Sequence, residues 1–320
     1  MNWSSFASSI AVFLSIHALG AAPILAQEFP SRPIRMIVPY PPGGSTTILA
    51  RLFAANMGEK LGQPIITDNR GGAGTIIGTR AVAESAPDGY TLLFTTSALL
   101  AAPYAYKNAG FKVEDFKLID GVGITSMAIR VHTSVPAKTL QELIAHTKTH
   151  DLNYSTNGSA SPGRLLISRF MASANIKMVE VMYSGTGQSQ TDLLAGVVQV
   201  NLTTAALSLA DLTRVRPLAV TSTQRLPFLP DVPTFTELGY PDMIGGTWFA
   251  IFVPVRTPEQ LVQRLADAVA RTNAEKDVQG KRAAIGISPF EGNRDAVQSF
   301  IRKDFELTLK DIKRVNLQPE

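Results

Sequence analysis

The chain has 320 residues, 45% hydrophobic and 18% charged, a globular composition with enough apolar material for a sizeable core and length for two domains. Its net charge of +4, from 30 basic against 26 acidic residues, is spread without a run of Lys or Arg, which argues against a nucleic-acid partner. The absence of cysteine excludes a disulfide framework, a thiolate metal site and a lipidated cysteine anchor.

The first 26 residues, MNWSSFASSIAVFLSIHALGAAPILA, contain no Asp, Glu, Lys or Arg, and the apolar stretch from Ile10 to Ala22 is too short to span a bilayer. This segment is expected to be an export signal spanning 1–26, cut after Ala26. It departs from the usual pattern in lacking Lys or Arg at its start and in placing Ile24 three residues before the cut; a buried N-terminal helix is the competing reading.

From Arg32 onward, β-rich runs alternate with amphipathic ones. Pro33 to Tyr40 reads as a strand, PPGG as a turn, and Thr47 to Leu61 as a helix with Ile48, Leu49, Leu52, Phe53 and Ala55 at helical spacing. PIITDNR is a second strand, GGAGTIIGTRAVAES a glycine-rich turn opening a helix, and TLLFTTS a third strand. This is the grammar of an open parallel sheet, whose ligands sit at the carboxyl ends of strands.

A second unit follows. LIDGVGITSMAIRVH is a long extended run, TLQELIAHTKTH a helix, LNYST a strand and SPGRLLISRFMASA a helix. VEVMYSG, VVQVNLTT and RPLAVTS read as strands with TGQSQTDLLAG a helix between, before GGTWFAIFVP and the helix TPEQLVQRLADAVARTNA. The extended runs near 118–132 and 245–254 are expected to cross between domains. Two crossings make the first domain discontinuous and leave a cleft between two lobes, 27–127 with 248–320 and 128–247.

The loop Pro41 to Thr47 joins glycine freedom to a helix N-terminus whose free N–H groups attract negative charge; its hydroxyls also serve as caps. No lysine follows the glycines, so it is no phosphate-binding P-loop. GGAGTIIG at 71–78 resembles a dinucleotide fingerprint, but Ile77 stands where the third glycine belongs; a tight turn and an anion contact are both open. Thr95-Thr96-Ser97, STNGSASPGR (155–164) and YSGTGQSQTD (183–192) repeat the same hydroxyl, amide and glycine composition at strand ends. Such groups donate to carboxylate oxygens without a fixed countercharge, which suits reversible binding. Arg164 is the loop cation able to grip a carboxylate with two bonds, or else to play a structural part.

Catalytic groups are poorly supplied: there is no nucleophile elbow, and His146 and His150, spaced as a helical metal pair, lack an evident third ligand. No metal and no cofactor is expected. Trp248 and Tyr183 either line the cleft or pack in a core.

FPSRPIRMIVPYPPGGSTTILARLFA, GQPIITDNRGGAGTIIGTRAVAESAPDGYTLLFTTS, LAVTSTQRLPFLPDVPTFTELGYP and TWFAIFVPVRTP, in this order, resemble the tripartite tricarboxylate transporter solute receptors, the Bug family, from about Phe29 to the C-terminus. The resemblance implies an α/β, two-lobed, type II-like periplasmic-binding-protein fold, each lobe a mostly parallel sheet flanked by helices. It implies a monomeric periplasmic receptor, not an enzyme, that closes on a small organic acid and delivers it to membrane permease subunits. A membrane sensor is the alternative partner, and a nucleotide-cofactor enzyme the rival class.

Carried onto this chain, the ligand-binding residues would be Tyr40, Pro42, Gly43, Gly44, Ser45, Thr46 and Thr47 in the first loop and Thr96, Ser97 and Ala98 after the third strand. The opposite lobe would supply Ser159, Ser161, Arg164, Tyr183, Gly185 and Thr186. The chain departs from the family's pattern at Thr47, where Asp is common, at Arg164, where His is frequent, in the wording Met182-Tyr183-Ser184-Gly185, and in a shortened AALSLADLTR. Loss of an acid and gain of an arginine both favour an anionic ligand.

Overall fold

The structure, a computed structural model, describes residues 29–43, 45–157, 161–183 and 186–319, with the backbone alone for Ser45, Asn157, Thr186 and Ala210. The expected export signal lies outside the described residues.

The elements follow the alternation in the sequence. Strand β1 (Ile34–Val38) leads into α1 (Ser45–Leu61), β2 (Ile65–Asn69), α2 (Ile76–Ala83), β3 (Thr91–Thr96) and α3 (Ala98–Ala105). The long β4 (Phe116–His132) is followed by α4 (Leu140–His146), β5 (Asn153–Asn157), α5 (Pro162–Ala174), β6 (Val179–Tyr183), α6 (Thr186–Leu194), β7 (Val200–Thr204) and β8 (Val215–Val220). Strand β9 (Gly246–Pro254) and helices α7 (Glu259–Asn273), α8 (Lys276–Ala284) and α9 (Arg294–Arg314) complete the chain. Helices α3, α8 and α9 were not drawn out by periodicity: α3 is almost wholly apolar, and much of the α8 and α9 surface is exposed.

The described strands form one nine-stranded sheet ordered β2-β1-β3-β9-β4-β7-β5-β6, with β8 also on β4. β1, β2 and β3 run parallel, as do β5, β6 and β7, while β9 and β4 pair antiparallel with their neighbours. The parallel ladders are the βαβ units read from the sequence; the antiparallel ones are all made by β4 and β9, the strands at the passage between the lobes.

Local chemistry sets the helix ends. Thr139, Ser161 and Asn293 each accept a hydrogen bond from a first-turn N–H, as N-caps do. Pro162 opens α5, where its missing N–H is harmless, and Asn175 closes it in the left-handed region. In α7, Val262, Leu265, Ala266 and Val269 recur at helical spacing and are buried against the sheet.

Two sets of core clusters mark two lobes. Met36, Phe53, Phe94, Val122, Ile251 and Leu265 belong to the first, and Ile129, Leu143, Tyr154, Phe170, Leu202 and Phe235 to the second. A fully buried Leu or Phe contributes roughly 1.5–3 kcal/mol of transfer free energy, so each cluster is a main source of its lobe's stability.

β4 changes partners at one step. Its last rung with β9 is Ser126 against Gly246, and its first with β7 is Met127 against Thr204. The second crossing lies beside it, at Gly245-Gly246, where a Cβ on Gly246 would stand 1.9 Å from the Thr125 carbonyl oxygen. Thr221 joins the two crossings. Its Oγ1 accepts from Met127 N at 2.9 Å and donates to the Gly245 carbonyl at 2.5 Å, while its backbone bonds to both residues. The extended run at 245–254 therefore crosses only at its first residues; the body of β9 lies between β3 and β4.

Candidate functional site

The carboxyl ends of β1 and β3 in one lobe, and of β5, β6 and β7 in the other, point toward this waist. Thr96 lies opposite Phe249, next to the crossing, and Thr204 opposite Met127. Ser97 N–H donates to the Trp248 carbonyl at 3.1 Å, and Ser97 Oγ lies 3.4 Å from the Gly246 carbonyl. A gap of about 20 Å³ separates Ser97 and Ala101 from Pro162, Leu165 and Arg169 of α5, room for a single water. The β3 and α5 ends thus face each other across the waist.

In the first lobe the loop is braced from behind. Tyr40 O–H and Thr96 Oγ1 are 2.6 Å apart, and Thr96 Oγ1 accepts from Ala98 N at 3.2 Å. Burial pushes the Tyr40 phenol above its ordinary value, so it stays neutral. Asn69 Nδ2 donates to the Tyr40 carbonyl at 3.0 Å and to Thr47 Oγ1 at 2.8 Å, and Thr47 Oγ1 donates to the Pro41 carbonyl at 3.3 Å. Thr47 is 1% exposed. Its hydroxyl is engaged in shaping the loop, which explains an Asn–Thr pairing here without any ligand contact. Thr46 is also buried, whereas Pro42 and Gly43 are exposed at the loop tip. Ser45 begins α1, and Gly44 lies outside the described residues.

In the second lobe, Ser161 caps α5 by accepting from Arg164 N at 3.4 Å. Arg164 grips a carboxylate with two bonds, but that carboxylate is Glu180 of β6, with Nε to Oε1 at 2.7 Å and Nη2 to Oε2 at 3.1 Å. Burial alone would push Glu180 up, yet the hydrogen bonds from Arg164 and Thr156 outweigh it and hold the carboxyl below its ordinary value. Tyr183 is buried, donates to Asp192 Oδ2 at 2.8 Å, and is pushed up to about 12 by burial and that carboxylate. Thr186 opens α6, and Ser159 and Gly185 lie outside the described residues. Below α6, fully buried Arg130 donates to Asn201 Oδ1, the Leu207 carbonyl and Gln190 Oε1, all neutral, and burial lowers it to about 10.

The helix starts sort by position. α1, α3, α5 and α6, which begin at the waist loops, carry no acid in their first turns. α4, α7, α8 and α9, which begin elsewhere, each carry one: Glu142, Glu259, Asp277 and Asp295. An acid there neutralises the positive helix end, so the waist helices leave theirs open to an outside anion; α2 also starts without an acid, but the turn before it is filled by protein. This pattern was available in the sequence once the helices were placed. Asn69, Glu180, Asp192 and Arg130 were not singled out by sequence reasoning, because their partners come from other elements.

The glycine-rich turn after β2 is filled by protein. A Cβ on Gly74 would stand 2.0 Å from the Tyr106 hydroxyl, and one on Gly78 2.6 Å from the Arg70 carbonyl, which is the tight-turn reading of GGAGTIIG. Trp248 is core, its Nε1 donating to Asp304 Oδ2 at 2.8 Å. His146 and His150 stack with ring centroids 4.0 Å apart; among the described residues no acid or further His completes a metal-binding group with them.

Two lobes joined by paired crossings, with anion-ready helix ends at the waist, define a periplasmic-binding-protein architecture. Residues 49–317 match the sequence profile of the tripartite tricarboxylate transporter family receptors, and the chain belongs to that family of periplasmic solute-binding receptors. It is 34% identical over 316 residues to protein BugT of Bordetella pertussis, covering 96% of each chain. Among solved structures it is similar to the adipate-bound Rpa4515 of R. palustris, at 28% identity and TM-score 0.74, covering 92% of this chain and 100% of that one. It is also similar to malate-bound MatC of Rhodopseudomonas palustris, at 28% identity and TM-score 0.69, covering 90% and 100%.

Proposed function

We propose that this receptor captures a small organic acid carrying at least one carboxylate, such as a di- or tricarboxylate or an aromatic acid, by closing its lobes upon it. It holds the ligand without transforming it and delivers it to a membrane permease. The observation that carries this reading is that α1, α3, α5 and α6 all start at the waist without an acid in the first turn, whereas of the helices that start elsewhere only α2, behind its filled turn, lacks one. Bound adipate and malate in two similar proteins support the ligand class.

The binding residues in this proposal are the loop Tyr40 to Thr47, Thr96 to Ala98, Ser159 to Arg164, and Tyr183 to Thr186, with backbone N–H groups as the main donors. Thr47 and Tyr183 act by holding their loops. The hinge lies at Ser126-Met127 and Gly245-Gly246, dividing 27–127 and 248–320 from 128–247, with the end of α9 reaching across. Export, with residues 1–26 removed, places the receptor in the periplasm.

The test is a thermal-shift and calorimetric panel of mono-, di- and tricarboxylates, aromatic acids and amino acids. A true ligand at 100 times its dissociation constant stabilises the protein by about 2.7 kcal/mol. A panel in which no organic acid moves the melting temperature would refute the proposal.

A further inference from the structure

A separate cavity of about 410 Å³ opens in the first lobe between β4, α7, α8 and the segment entering α9. None of its lining residues belongs to the waist loops, and its size falls within the range of roughly 300–1,000 Å³ typical of small-molecule sites.

Two buried charges line it. Arg282 is 2% exposed; its Nη1 donates to the Val122 carbonyl at 2.6 Å and to Asn273 Oδ1 at 2.8 Å, and its Nε has no partner. Its stem lies across β4 where Gly123 leaves room, the Cδ standing 3.2 Å from where a Cβ would be. Asp120 is 7% exposed and accepts one hydrogen bond, from Gly121 N at 2.7 Å. Neither side chain forms a direct ion pair among the described residues and the two do not pair with each other, although the Arg294 guanidinium, also in the lining, draws the Asp120 carboxyl down through space without bonding to it. A buried cation without a carboxylate, and a buried carboxylate without a bonded cation, are each unfavourable on their own.

Arg294 and Asp267 add one charge of each sign to the lining. Asp267 is already bonded by Gln263 Nε2 at 2.8 Å, and Arg294 by Glu259 and the Leu118 carbonyl. The lining is therefore balanced in sign. A simple anion would meet Asp120 and a simple cation would meet Arg282, whereas a molecule with both charges meets a partner for each.

We propose that this cavity binds a small zwitterion of the amino-acid type, its carboxylate against the Arg282 guanidinium and its ammonium against the Asp120 carboxylate. Burial raises the Asp120 carboxyl above its ordinary value, and an ammonium beside it restores the ionised form.

The experiment titrates the purified protein with glycine and alanine, and with propionate and propylamine as single-charge probes, by calorimetry. Glycine or alanine is expected to bind, with both single-charge probes weaker by roughly tenfold or more. Asp120→Asn keeps the shape and is expected to weaken amino-acid binding by roughly tenfold while leaving organic-acid binding at the waist unchanged. Arg282→Met does the same if it folds; Asp120→Asn carries the test if it does not. Absence of binding by either amino acid overturns the proposal, and so does binding that Asp120→Asn leaves intact, which would place the amino acid at the waist.

Discussion

Arg169 of α5 and Asp311 of α9 form a buried ion pair across the two lobes, with Nε and Nη2 donating to Asp311 Oδ2 at 2.9 and 2.6 Å. The guanidinium also donates to the Asp242 carbonyl at 2.9 Å, and Arg314 reaches the other Asp311 oxygen. Asp311→Asn strands the buried Arg169 guanidinium and is expected to destabilise by about 3–5 kcal/mol in urea titration, whereas Arg169→Met leaves Asp311 paired with Arg314 and should cost less. The double variant should lose less than the sum, because the second change removes a charge already stranded.

Asp304, beside this pair, supplies a pH test. Burial raises its carboxyl above the ordinary value; the Trp248 N–H and Arg169 pull it down, and Asp311 pushes it up. An acid raised on folding contributes stability that is complete below its unfolded pKa, about 3.9, and is lost as pH rises through the folded value. Asp304→Asn keeps an acceptor for Trp248 and has no such loss. Its melting temperature relative to wild type should therefore rise as pH climbs from the unfolded value of about 3.9 through the raised folded value, and a falling difference would contradict the assignment.

Thr221 is the pin of the waist. In Thr221→Val, Met127 N–H and the Gly245 carbonyl each lose the side-chain partner, at about 1–3 kcal/mol for each group left unsatisfied. Hydrogen exchange should quicken at the Met127 N–H, which loses its acceptor, before it quickens in either core, and Thr221→Ser should restore most of the protection.

The grip of Glu180 on Arg164 competes with any ligand carboxylate. Glu180→Gln removes the internal charge and should tighten binding of a dicarboxylate by roughly threefold to tenfold, while Arg164→Met in the wild-type background changes affinity little. Calorimetry on both variants decides it: unchanged affinity in Glu180→Gln places Arg164 outside ligand contact.

The strand and helix alternation was legible because each buried face repeats within a few residues, and the long run at 118–132 betrayed the first crossing by its length alone. The family resemblance carried the two-lobed fold, and the family match and solved structures agree with it. The engagement of individual site residues was not legible. Thr47 looked like a donor facing a ligand, but Asn69 arrives from β2 in register with Val38 and takes its hydroxyl. Arg164 looked available, but pairing of β5 with β6 brings Glu180 beside it. Composition announces which groups a loop offers; only the register of a distant strand decides which are already taken.

The sequence has two tryptophans, Trp3 and Trp248, and removal of residues 1–26 leaves one. Trp248 lies in β9, two residues past the Gly246 crossing, and is hydrogen-bonded to a helix that also touches the other lobe. A receptor without residues 1–26 would carry a single tryptophan, at its own pivot. Ligand-driven closure should appear as a change in emission maximum or lifetime without any added label, and stopped-flow mixing would time it directly.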